Sequence, residues 1–353
     1  MFKTIPDTYQ APVISAKELP LKSATTAEAI FSHFAHQPWA MWLDSGDSDH
    51  VDSRFDILVW QPIVTLATHS DSTEINFADC DEVETSTADP LLLLKTLQAK
   101  LFHTPDSTHE FLPFLGGALG YFAYDLGRRF ENLPSVAEQD INLPEMAVGL
   151  YNKAVVYDKK SALFYLVCPD NARSELEQSL IELTNRASET STSSFQLSTA
   201  WQANMDKASY IKKFEQVQDY LLSGDCYQIN LAQRFSAQYQ GDEFEAYLAL
   251  KEANKAPFSA FIRLENAAIL SVSPERFLQL SKGKVQSKPI KGTMPRSTDK
   301  TQDAKNAEIL RHSTKDNAEN LMIVDLLRND LSINATQVRV PRLFDIESFS
   351  TVH

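Results

Sequence analysis

The sequence predicts an α+β protein whose sheets are antiparallel. Two observations carry this. Strand-like runs come in consecutive pairs joined by short turns, and helix-like runs stand apart from them instead of alternating with them as in a doubly wound fold. In chain order, Asp56–Trp60 and Ile63–Thr68 read as two strands joined at Gln61-Pro62. The glycine-rich stretch Phe111–Glu131 fits neither G-x-G-x-x-G nor G-x-x-x-x-G-K-[ST], and reads as backbone packed closely on a sheet. Val155–Tyr157 and Leu163–Val167 form another strand pair, turning at Asp158-Lys159-Lys160.

Asp206 then offers an N-cap; Tyr210, Phe214, Val217 and Leu221 recur at helical spacing, and Gly224 supplies the stop. Directly afterwards Tyr227, Ile229, Leu231 and Phe235 alternate with polar or small residues, the pattern of a half-buried strand. Phe258–Leu264 and Ala268–Val272 are two more strands meeting at Glu265-Asn266, and Lys315–Asn329 is a second strong helix. The chain ends on Leu343, Phe344, Ile346, Phe349 and Val352, then His353. So apolar an end predicts a chain cut within a domain, with apolar surface exposed around its last residues. The Ser/Thr-rich stretch 187–200 reads as a linker between an N-terminal region, 1–186, and a C-terminal region, 201–353.

Charge narrows the function. The 353 residues carry 33 Lys and Arg against 47 Asp and Glu, a net charge of −14. Nucleic acid and anionic membranes both need a basic footprint, so neither is an expected partner. A small anionic substrate is not excluded, since its site needs only a few local donors. Cys80, Cys168 and Cys226 lie far apart with no C-x-x-C spacing, and no apolar run is long enough to span a membrane. A cytoplasmic location is expected.

Several residues invite chemistry, each beside a plainer reading. His33 and His36 lack a third ligand nearby and read as a surface helix. Glu275, after an apolar strand and Pro274, is an acid candidate or a loop carboxylate paired with Arg276. Lys291 is held between Pro289 and Gly292, with Lys288 and Arg296 as cationic neighbours. It reads as a rigidly placed nucleophile or as part of a solvated basic turn. Glu319 is either a Mg²⁺ ligand or the partner of Lys315 one turn back.

Taken together, SGDCYQINLAQRF (223–235), SPERF (273–277), PIKGTMPR (289–296) and KDNAENLMIVDLLRNDL (315–331) resemble the chorismate-utilising enzymes. LDSG (43–46), DSRFDIL (52–58) and GGALGYFAYDLGRRFE (116–131) extend the likeness over nearly the whole chain. The resemblance implies a layered sandwich of two antiparallel sheets flanked by helices. Relatives that make anthranilate carry alanine where this chain has Lys291, and relatives that make isochorismate carry a water-activating lysine at Gln228. The pair of residues resembles the aminodeoxychorismate branch, which implies amination of chorismate at C4.

That resemblance also implies the parts. Lys291 would attack C2 of the ring, Glu275 would protonate the departing C4 hydroxyl, and Glu319 would hold Mg²⁺. Ammonia would come from a separate glutamine amidotransferase, because no glutaminase motif is present here. An N-terminal pocket for L-tryptophan would use Ser45, Asp52, Ser53, Arg54, Phe55, Pro257, Phe258 and Ser259. The alternatives are an anthranilate synthase-like activity, or a truncated, inactive fragment that only binds its partner. In the family further segments follow the point where this chain stops, so little activity is expected of the 353 residues alone.

Overall fold

The structure is a computed structural model and describes residues 4–5, 8–103, 110–134, 136, 138–186 and 194–353. Its first strands are β1 (Ile14–Glu18), β2 (Met41–Asp44), β3 (Phe55–Val59), β4 (Val64–His69), β5 (Ser72–Phe77) and β6 (Val83–Ser86). β7 (Gly117–Phe122), β8 (Met146–Tyr151), β9 (Ala154–Asp158) and β10 (Leu163–Pro169) follow. Short strands β11 (Gln196–Leu197), β12 (Gln202–Ala203), β13 (Phe235–Ser236) and β14 (Tyr239–Gln240) precede β15 (Phe258–Arg263), β16 (Ala268–Ser273), β17 (Gln279–Ser281) and β18 (Lys284–Gln286). The helices are α1 (Ala27–Phe31), α2 (Pro90–Leu101), α3 (Arg173–Asn185), α4 (Lys207–Ser223), α5 (Glu243–Asn254), α6 (Lys300–Arg311) and α7 (Thr314–Asn334).

Chain contacts define two compact units, Met1–Glu189 with Tyr247–His353, and Thr190–Ala246. The first holds two fully antiparallel sheets, ordered β1-β10-β9-β3-β2-β15-β16 and β6-β5-β4-β8-β7. Period-two alternation builds the layers. On β8, Ala147 and Tyr151 turn inward to meet Met41, Val59, Val156 and Ile262 of the larger sheet. Met146, Val148 and Leu150 turn outward, onto Leu94, Leu97 and Leu101 of α2. The outer face of the larger sheet carries an aromatic cluster. Trp42 lies 5.6 Å from Phe31 of α1 and 5.8 Å from Tyr247 of α5, centroid to centroid. The α+β sandwich with flanking helices is the architecture the sequence predicted.

The glycine-rich stretch is packed backbone, as expected. A Cβ on Gly120 would stand 2.0 Å from the Ala147 carbonyl oxygen across the β7–β8 ladder, so only glycine fits. In the second unit, Asp206 caps α4 through the Ser209 N–H, and Gly224 ends it at φ 82°.

The strands read at Asp56–Trp60 and Ile63–Thr68 are present as β3 and β4, and they belong to different sheets. Gln61, at φ 46°, hands the chain from one layer to the other. The strand expected over Tyr227–Phe235 is absent except for Phe235, which pairs with Ala203. Alternation marks which side chains share a face but supplies no partner strand, and residues 228–233 lie in no strand ladder among the described residues. The apolar end is not left open throughout: Phe349 and His353 are buried. Met294 and His353 exchange both backbone hydrogen bonds, at 3.1 and 2.8 Å, which fastens the last residues to the 289–296 segment.

Residues 187–193 of the Ser/Thr-rich stretch lie outside the described residues; Gln196–Leu197 pairs with β14. Among the described residues no helix is long and apolar enough to cross a membrane.

Candidate active site

Glu275 follows β16 directly, and Lys291 lies in the irregular segment after β18. The fold brings their neighbourhoods together. Glu275 Oε1 accepts the Ile290 backbone N–H at 2.9 Å, while the Ser273 hydroxyl accepts the Glu275 N–H at 3.2 Å. The carboxylate expected to donate a proton is therefore anchored to the residue preceding the expected nucleophile. The plainer reading of Glu275, a pair with Arg276, is not what forms: Arg276 turns away to Asp52.

Lys291 is half-buried and makes no hydrogen bond or ion pair with any described residue. Its backbone is set by Gly292 at φ 68°, where a Cβ would stand 2.7 Å from both Cβ and Cγ of Asp316. Asp316 lies in the first turn of α7, whose N-cap Ser313 it also bonds. The cations expected to depress the Lys291 ammonium are themselves committed. Lys288 pairs with Glu347 at 2.9 Å and Arg296 with Asp303 at 2.9 Å. Hydrogen bonds from Arg296 hold the Asp303 carboxyl well below the usual range, and His353 Nε2 lies 3.0 Å from the same oxygen.

Glu319 stands one turn along α7 from Asp316, beside Asn320, whose amide donates to the Pro289 carbonyl at 3.4 Å. It is half-buried and forms no pair with Lys315 or with any other described residue. A carboxylate without a protein partner suits a Mg²⁺ ion that takes its other ligands from substrate and water. No cluster of three or more His, Cys, Asp or Glu suited to a metal occurs among the described residues, so the fit rests on this single carboxylate. Gln228 belongs to the second unit.

The expected tryptophan-pocket residues gather at one end of the larger sheet. β15 runs beside β2 with Ser259 opposite Asp44, so Pro257, Phe258 and Ser259 adjoin Ser45. Ser53 bonds Ser48 through their hydroxyls at 2.8 Å. Arg54 grips Asp158 with two bonds of 3.0 Å and lies over the Phe55 ring. Ser45 donates both its N–H and its hydroxyl to Asp56.

Sequence reading missed the buried charges beneath this pocket. Asp44 and Asp56 are 2% and 1% exposed. Lys251 lies 3.1 Å from Asp44 and Lys159 lies 3.2 Å from Asp56; Tyr247 donates to Asp44 at 3.2 Å. Burial, reinforced by Asp44, pushes the Asp56 carboxyl up to about 6. Burial opposes the Lys159 ammonium, but Asp56, Asp44 and Asp47 outweigh it and raise its pKa. The available signal was an aspartate at the end of one otherwise apolar strand, MWLD, and within another, FDILV.

The sequence pattern of the chorismate binding enzymes matches residues 39–353. The chain belongs to the chorismate binding enzyme family. Within that family it is 50% identical over 329 residues to the aminodeoxychorismate synthase component 1 of Klebsiella aerogenes, covering 93% of this chain and 71% of that protein. It is 49% identical over 330 residues to the Escherichia coli protein of the same name, with the same coverage. Its fold matches anthranilate synthase component I of Streptococcus pneumoniae at a TM-score of 0.70, with 23% identity over 87% of this chain and 69% of that one. At that identity the likeness concerns the fold alone. Membership makes the chain a chorismate-utilising enzyme.

Proposed function

We propose that this protein aminates chorismate at C4, giving 4-amino-4-deoxychorismate for p-aminobenzoate and folate formation. Ammonia comes from a glutamine amidotransferase partner, and the work is done in the cytoplasm. The observation that supports the reading is the Glu275–Ile290 hydrogen bond, which ties the carboxylate proposed as acid to the residue preceding the half-buried Lys291. The similarity to two aminodeoxychorismate synthase components supports it.

The chemistry splits one hard displacement into two. The uncharged Lys291 amine bonds to C2, both conjugated ring double bonds shift by one position towards C4, and the C4–O bond breaks. Glu275 gives its proton to the departing hydroxyl, which leaves as water. Ammonia then bonds to C4, the electron pair shifts back, and the C2–N bond breaks to return neutral lysine. The proton shed by the new C4 ammonium restores Glu275. Overall, ammonia enters and water leaves.

Glu319 would hold Mg²⁺, which when bound offsets the charge of the ring carboxylate. The pocket at Ser45, Asp52–Phe55 and Pro257–Ser259 is proposed to hold L-tryptophan. The covalent step is tested by mass spectrometry after incubation with chorismate and Mg²⁺ without ammonia. A ring adduct on the peptide containing Lys291 supports it; an adduct that persists in Lys291→Ala overturns the role given to this residue.

A further inference from the structure

The loop before β3 reaches the two segments that carry the candidate acid and nucleophile. Asp52 Oδ1 accepts from Arg276 Nη1 at 3.1 Å, and its Oδ2 lies 3.4 Å from Lys288 Nζ. Arg276 immediately follows Glu275, and Lys288 stands three residues before Lys291. One carboxylate therefore holds both segments.

The surroundings make this more than a surface pair. The Arg276 side chain is 10% exposed and that of Asp52 is 19% exposed. Asp52 is the only carboxylate paired with Arg276 among the described residues, and the second guanidinium bond goes to the neutral Gln286. Arg276 Nε is buried with no hydrogen-bond partner among the described residues. A guanidinium so placed depends on its one counter-charge, because a buried charge left unpaired is strongly unfavourable. Lys288 is shared with Glu347 at 2.9 Å. His50 completes the ring: its Nδ1 accepts the Asp52 N–H at 3.2 Å, and its Nε2 lies 3.2 Å from Glu347. Around it two carboxylates, Asp52 and Glu347, meet two cations, Arg276 and Lys288.

We propose that Asp52 is a positioning residue for the Glu275–Lys291 pair, acting through Arg276 and Lys288. The roles of acid and nucleophile rest on the function proposed above; the clamp itself does not. Both Asp52 oxygens are engaged by these cations.

Hydrogen–deuterium exchange on the full chain tests the clamp without relying on turnover, using Asp52→Ala and, should that variant fold poorly, Asp52→Asn. The Ile290 amide, held by Glu275, should exchange about tenfold faster or more in a folded variant, while β4 and β5 keep their protection. Unchanged Ile290 protection overturns the proposal. In the amination assay kcat should fall about 10- to 100-fold with chorismate KM little changed, and Asp52→Glu should recover part of the loss. An unchanged kcat, or a loss confined to KM, also overturns it. If the parent protein forms no aminodeoxychorismate, the exchange measurement alone decides the clamp.

Discussion

Glu275 takes the backbone N–H of Ile290 through one carboxylate oxygen at 2.9 Å. This bond joins the turn after β16 to the segment after β18, two stretches that no strand ladder connects. It engages Oε1 and leaves Oε2 without a partner among the described residues. Anchoring of this kind keeps an acid within reach of a leaving group whether or not substrate is present.

Replacing Glu275 by Gln separates the anchor from the acid. The amide oxygen still accepts the Ile290 N–H, but no proton can be donated. The kcat for amination should fall about 10²- to 10⁴-fold. The melting temperature should hold. A large loss of thermal stability would mean that Glu275 serves chiefly to brace the turn.

Gly292→Ala should disturb the nucleophile without touching it. The left-handed backbone costs a non-glycine residue about 1–2 kcal/mol. The added methyl would also stand 2.7 Å from Asp316. We expect a lower melting temperature and a larger relative loss of kcat than of stability. Activity equal to the parent's would show that Lys291 tolerates movement of its loop.

Glu319→Gln should raise the Mg²⁺ concentration needed for half-maximal rate and leave the circular dichroism spectrum unchanged. Its carboxylate supports no described partner, so the fold loses nothing with its charge. A Mg²⁺ titration curve that superimposes on the parent's would remove Glu319 from the metal site.

The buried Asp56 gives stability a pH signature. Its folded pKa, about 6, lies above the ordinary aspartate value of 3.8, so the native state holds this proton more tightly than the unfolded chain. Stability must then fall as pH rises between those values. Relative to the non-titrating Asp56→Asn variant, the parent should lose up to about 3 kcal/mol between pH 4 and pH 7, at 1.36 kcal/mol per pKa unit. Urea unfolding of both proteins across that range measures it. A constant difference would show that Asp56 is ionised throughout.

Much of the scaffold was legible because local patterns agree with the tertiary result. The β9–β10 turn falls at a charged triplet between apolar runs, and α4 has both cap residues at its ends. The 227–235 stretch failed for the opposite reason: its alternation is real, but a strand also needs a ladder partner, which periodicity cannot supply. Glu275 and Lys291 stood out in the sequence, whereas their junction through Ile290 did not, since it depends on how β16 and β18 end in space. Asp44, Asp56, Lys159 and Lys251 were harder still. Their pairing requires the end of β9 beside β3 and α5 beside β2, with Asp44 and Lys251 more than two hundred positions apart in sequence.

Amination at C4 through Lys291 leaves a nitrogen label at a defined ring carbon. Incubating the protein with chorismate, Mg²⁺ and ¹⁵N-ammonia, then locating the label by NMR, tests it most directly. The account predicts ¹⁵N on C4 of 4-amino-4-deoxychorismate, and its loss in Lys291→Ala. Label on C2 as anthranilate, or undiminished product from the alanine variant, would contradict it.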